Sequence, residues 1–193
     1  MTRIVGVLGS VTPPGRLARA LAWTLESVQA VEPSTETRLL DLADYRLSFA
    51  DGRPLDQLGD DSAKVVGEIV QADGVIFASP VYRASFTGAL KNLLDLLPVE
   101  ALQGKPCGVL AMGASQHHYL GVDWHLRDVL AWFGALTLPS SVYLASADFV
   151  EGELTQAARE ELRRLASAVH AFASLPPSVD RAALTPLAAR ARG

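Results

Sequence analysis

The residues suited to chemistry lie in three short segments, and they offer recognition of a ligand more than proton transfer or nucleophilic attack. The first is GSVTPPGR, residues 9–16, with the hydroxyls of Ser10 and Thr12, the small Gly15 and the guanidinium of Arg16 ahead of a helical pattern that opens at Leu17. A helix N-terminus carries unpaired N–H groups and a partial positive charge, so an anion such as a phosphate is stabilised there. An ordinary strand-to-helix turn with proline near the first helical position reads the same way, and the segment matches neither the P-loop nor the dinucleotide glycine pattern. The second segment is Ser79, Pro80, Val81, Tyr82 and Arg83, which sets a flat ring and a cation just after an apolar run. The third is Met112, Gly113, Ala114, Ser115, Gln116, His117 and His118, where small side chains let a ligand approach the backbone. Adjacent histidines rarely ligate one metal, and no carboxylate or thiol stands at a ligand spacing, so no metal site is expected.

These segments need a scaffold, and the hydrophobic pattern supplies one. Strand-sized apolar runs at residues 4–8, 39–42, 75–78, 108–112 and 141–144 alternate with helical stripes. The stripes are Leu17, Leu21, Leu25 and Val28; residues 64–70; Phe86, Leu90, Leu93, Leu94 and Leu97; Val122, Leu126, Val129, Leu130 and Phe133; and Leu154, Ala158, Leu162, Leu165 and Val169. Five alternations with strands apolar along their length predict an α/β fold, a three-layer doubly wound parallel sheet of flavodoxin-like order 2-1-3-4-5. In such a sheet ligands bind beyond the carboxyl ends of the strands, where all three segments emerge. Residues 46–59 read as a loop. Residues 1–173 read as the domain and 174–193 as a mobile or partner-packed tail.

Composition narrows the function classes. With 49% hydrophobic against 20% charged residues, the 193-residue chain has material for one real core. A net charge of −4 argues against nucleic acid or an anionic membrane as the main partner. The apolar start is too short for a signal peptide or a membrane span. A lone Cys107, opening a strand, reads as core and fits a reducing, cytoplasmic setting. Lys91 and Asp95, four apart, read as a solvated pair.

The stretch QADGVIFASPVYRASFTGALKNLLDLLP, residues 71–98, followed by ALQGKP at 101–106 and HYLGVDWHLRDVL at 118–130, resembles the NAD(P)H-dependent FMN reductases. It is most similar to the reductase component of two-component alkanesulfonate monooxygenases. The resemblance is strong over residues 73–130 and weaker outside them. It implies phosphate contacts on the 10–17 loop, at Ser10, Thr12, Gly15, Arg16 and Leu17. It implies an isoalloxazine edge against Pro80, Val81, Tyr82 and Arg83, with Gly113, Ala114 and Ser115 on its other side. The activity implied is hydride transfer from NADPH or NADH to flavin N5, which needs alignment more than a protein acid or base. Reduced FMN would pass to a partner flavin-dependent monooxygenase.

The chain departs from that family twice. Where the family reads GSxRxxSR, this sequence has Thr12 for the arginine and Gly15 for the second serine, and Pro13 and Pro14 lack backbone N–H groups. Losing donors worth on the order of 0.5–3 kcal/mol each lowers flavin affinity by one to several decades. Three readings stay open: a reductase treating FMN as a diffusible substrate, an FMN-retaining quinone or azo-type reductase, and a degenerate flavodoxin-like binding or assembly protein. The second departure is Trp124, where the sulfonate-type reductases carry a tyrosine linked to tetramer assembly and flavin release. At about 100° per residue, Leu120 and Trp124 project away from the core stripe of their helix, which predicts a subunit interface and a homodimer or homotetramer.

Overall fold

Alternate side chains of each strand serve different cores, and that alternation fixes the layers. In this computed structural model, which describes residues 1–12, 15–175 and 184–186, β1 (Arg3–Leu8), β2 (Glu36–Asp41), β3 (Gly74–Pro80) and β4 (Pro106–Met112) form the parallel centre of the sheet. Val5, Val7, Val75, Phe77, Cys107, Val109 and Ala111 face one way, while Ile4, Leu8, Ile76, Ala78 and Leu110 face the other. The first set packs under α2 (Ser62–Gln71), α3 (Gly88–Leu96) and α4 (Tyr119–Trp132). The second packs under α1 (Arg16–Val31) and α5 (Gln156–Ala173). Helices on both faces leave β3 and β4 largely apolar, while the edge strand β2 carries Glu36, Arg38 and Asp41, and the order is β2-β1-β3-β4-β5, as expected for the doubly wound class.

The edge position departs from the single fifth strand expected at 141–144. It is split into β5 (Leu136–Thr137) and β6 (Val142–Leu144), both paired with β4. Pro139 stands in the gap and has no N–H to give a ladder. The carbonyls stranded there are taken up by α4. Arg127 Nη1 donates to the carbonyl of Leu138 at 2.7 Å and Nη2 to that of Pro139 at 3.0 Å, while Nε faces both Asp123 oxygens at 2.9 and 3.0 Å. A planar fork suits three fixed acceptors in a way a lysine does not.

Two other boundaries shift for local reasons. The third helical stripe begins at Gly88, because the Thr87 hydroxyl accepts from Leu90 N and caps the helix there, leaving Phe86 outside. The last helix begins at Gln156 behind a Thr155 cap. Leu154 belongs instead to a small antiparallel pair, β7 (Phe149–Val150) and β8 (Glu153–Leu154). Cys107 is fully buried, and burial pushes its thiol up to about 12. Lys91 and Asp95 form an exposed bidentate pair at 2.6 and 2.8 Å. The 174–193 tail lies mostly outside the described residues. Among the described residues no helix is long and apolar enough to cross a membrane.

Replacing Arg127 with leucine leaves two carbonyls and the buried Asp123 without partners. Urea unfolding of that variant is expected to show a loss of about 2–4 kcal/mol, against under 1 for an exposed substitution such as Arg53→Ala.

Candidate functional site

One buried threonine joins the first two carboxyl-end loops. Thr87 donates its hydroxyl proton to the carbonyl of Gly9 at 2.5 Å, and its own N–H donates to Ser79 Oγ at 3.1 Å. Ser79 Oγ in turn donates to the carbonyl of Pro80 at 2.9 Å. Ser79 is fully buried and Thr87 nearly so. Gly9 N donates to the carbonyl of Ala78, and Val81 N to that of Met112, so the sheet's pairing runs on into the loops. Gly9 has to be glycine, since a Cβ there would lie 2.7 Å from the Cβ of Leu90.

The loops enclose a shallow cleft of about 250 Å³ lined by Ser10, Thr12, Gly15, Arg16, Leu17, Pro80 and Tyr82, together with Leu8, Ala18 and Met112. Seven of the expected site residues are thereby brought to one place. Its floor is the N-terminus of α1. Unlike α3 and α5, which carry threonine caps, α1 has no side-chain cap: Gly15 supplies none. The first-turn N–H groups are therefore left for an anion. The hydroxyls of Ser10 and Thr12 bond to each other at 2.8 Å, and Thr12 N donates to Ser10 Oγ. One proton is used inside the pair, so the two residues offer one fewer outward donor than their types suggest.

Val81, Arg83, Gly113, Ala114 and Ser115 flank this cleft without lining it. Val81 leans into the core beneath α3 and α4. Arg83 is exposed on a two-residue hairpin turn in which Tyr82 N donates to the Ser85 carbonyl and Ser85 N to the Tyr82 carbonyl. Both central residues are left-handed, Arg83 at φ 51° and Ala84 at φ 63°. Such a turn favours Asn-Gly; side chains at both positions cost about 1–2 kcal/mol each. Helix α4 presses on this turn: a Cβ at Gly121 would lie 2.7 Å from the Ala84 carbonyl oxygen. The Gly113–Ser115 turn is held from below by Tyr143, whose hydroxyl donates to the Ser115 carbonyl at 2.5 Å, and burial raises the phenol pKa so that this proton stays.

Leu120 and Trp124 line a separate concavity of about 340 Å³ with Ala84, His117, His118, Tyr119, Gly121 and His125. Trp124 is 63% exposed while Val122, Leu126 and Leu130 are buried, which is the facing the helical projection predicts. Sequence reasoning missed Thr87, Tyr143 and Gly121. It had placed Thr87 inside a helix, where the S/T-x-x-hydrophobic cap signal at Thr87 was available.

Replacing Thr87 with valine keeps the shape, removes the α3 cap and orphans the Gly9 carbonyl. Chemical denaturation is expected to show a loss of about 1–3 kcal/mol that Thr87→Ser largely restores.

The model of the NADPH-dependent FMN reductase family matches residues 2–149. An NAD(P)H-dependent FAD/FMN reductase of Geobacillus thermodenitrificans is 36% identical over 154 residues, 78% of this chain and 83% of that protein. An NADH-dependent FMN reductase of Pseudomonas putida is 33% identical over 175 residues, 90% of this chain and 94% of that protein. Among solved structures, the apo form of an NADH:FMN oxidoreductase matches with a TM-score of 0.80 and 29% identity, covering 92% of this chain and 93% of that one. All three cleft-forming loops fall within the matched residues, and the chain belongs to the NADPH-dependent FMN reductase family, an NAD(P)H:FMN oxidoreductase.

Proposed function

We propose that this reductase takes FMN as a diffusible substrate, reduces it with NADH or NADPH, and releases it to a partner flavin-dependent monooxygenase in the cytoplasm. The observation that carries this reading is the donor-poor first loop over an open cleft: the Ser10–Thr12 pair spends a proton internally, and Thr12 N is spent on Ser10 Oγ. In this reading the FMN phosphate sits against Ser10, Thr12, Gly15, Arg16 and Leu17. The ring edge rests on Pro80, Val81, Tyr82 and Arg83, with Gly113, Ala114 and Ser115 beyond it.

The nicotinamide supplies a hydride to flavin N5, giving NAD(P)⁺ and, with one proton, reduced FMN. The protein's share is alignment and water exclusion. The α1 N-terminus and Arg16 neutralise the phosphate, Pro80 gives a rigid apolar wall, and the half-exposed Tyr82 ring closes one rim. Leu120 and Trp124 belong to a subunit contact in this reading, since an exposed aromatic on a helix whose opposite face is core is suited to cover by another copy.

Purified protein mixed anaerobically with FMN and either nicotinamide nucleotide is expected to bleach the flavin's visible absorbance, and added FMN is expected to separate from the protein on gel filtration. Flavin that co-elutes sinks the diffusible-substrate reading in favour of an FMN-retaining reductase; absence of bleaching sinks both. By light scattering the parent is expected to be a dimer or tetramer and Trp124→Glu a smaller species. A monomeric parent removes the subunit-contact reading.

A further inference from the structure

The residue best placed to meet a phosphate is held by a segment that no loop of the cleft contains. Arg16 opens α1, and its guanidinium carbon lies 5.2 Å from the centroid of the Phe149 ring, while Nη2 donates to Ser146 Oγ at 3.3 Å. Ser146 and Phe149 lie some 130 residues downstream, on the 3-10 turn Ser146–Asp148 and at the start of β7. That arm is itself fixed. Asp148 accepts from Ala145 N at 2.7 Å, Asp148 N donates to the Ala145 carbonyl, and Thr155 N donates to the Asp148 carbonyl. Thr155 is also the cap of α5. Phe149 packs against the core beneath α1 and α5. Of the carboxylates on this arm, Asp148 accepts from Ala145 N and Glu153 faces Arg159 at 3.4 Å.

We propose that Phe149, assisted by Ser146, is a positioning residue that holds Arg16 ready for the flavin phosphate and so sets the preference for phosphorylated over unphosphorylated flavin. A free arginine samples many rotamers and loses that freedom on binding. Stacking on an aromatic face orders the guanidinium while leaving its in-plane N–H groups for oxyanion acceptors. With Thr12 and Gly15 in the first loop, Arg16 is the cleft's one cation among the described lining residues, which concentrates phosphate recognition on its orientation. The inference rests on the reading that the phosphate lies beside Arg16.

The test titrates full-length apoprotein with FMN and with riboflavin, followed by flavin fluorescence, with thermal melts as a check on folding. Arg16→Ala is expected to abolish most of the preference for FMN. Phe149→Leu keeps apolar bulk and removes the π face. It is expected to weaken FMN roughly three- to tenfold while leaving riboflavin within about twofold, and Phe149→Tyr is expected to keep the parent ratio. If Phe149→Leu does not fold, Ser146→Ala alone is expected to shrink the ratio about twofold. An intact preference in Arg16→Ala, or none in the parent, removes the phosphate reading and the inference with it. A preference lost in Arg16→Ala but unchanged in Phe149→Leu and Ser146→Ala, or equal weakening of both flavins, overturns the positioning role alone.

Discussion

The geometry of the cleft depends on the Thr87 hydroxyl. It gives its proton to the Gly9 carbonyl, takes the N–H of Leu90, and sits on a backbone whose own N–H is held by Ser79. The tips of β1 and β3 and the start of α3 are thus fixed by one buried side chain. In a buried setting each of these bonds has no water to replace it, so they hold together or fail together. A ligand that needs alignment rather than proton transfer gains most from such a frame, because small displacements of the Pro80 and Tyr82 wall against the α1 N-terminus would spoil the approach of two flat reactants.

A second theme is that irregular backbone near the site is accompanied by a specific partner. The break at Pro139 is answered by the fork of Arg127. The left-handed pair Arg83–Ala84 is closed by two backbone bonds and abutted by Gly121. The downstream arm that carries Phe149 is tied by Asp148 and Thr155. Strained or unpaired backbone persists where its surroundings over-determine it, and here most supports lie within about a dozen residues, while Gly121 reaches Ala84 from a separate helix.

Separation along the chain explains what could be read from the sequence and what could not. The layers and the facing of Trp124 follow from periodicity, which is local, and the sheet order from the doubly wound class that the alternation indicates. The gathering of Ser10, Thr12, Gly15 and Arg16 at one cleft was legible because they are neighbours ahead of a helix. Thr87 on Gly9 and Phe149 under Arg16 join residues about 80 and 130 positions apart, and no period encodes such pairs. Val81 packs partly against the core beneath α3 and α4 because strand alternation, continued one residue past Pro80, turns it inward. The split edge strand was missed because Leu136 and Thr137 are too short a run to register beside a proline.

The exposure of the first loop has an evolutionary side. Gly9 and Ser10 are buried, and Gly9 is locked against Leu90, whereas Val11, Thr12 and Gly15 stand in solvent with no role in either core. Substitutions at those three positions therefore carry little folding penalty, while each one adds or removes a donor at the mouth of an uncapped helix. Ligand residence time can drift across generations at nearly constant stability. The mouth of this cleft is thus a place where polar donors can change at little cost to the fold.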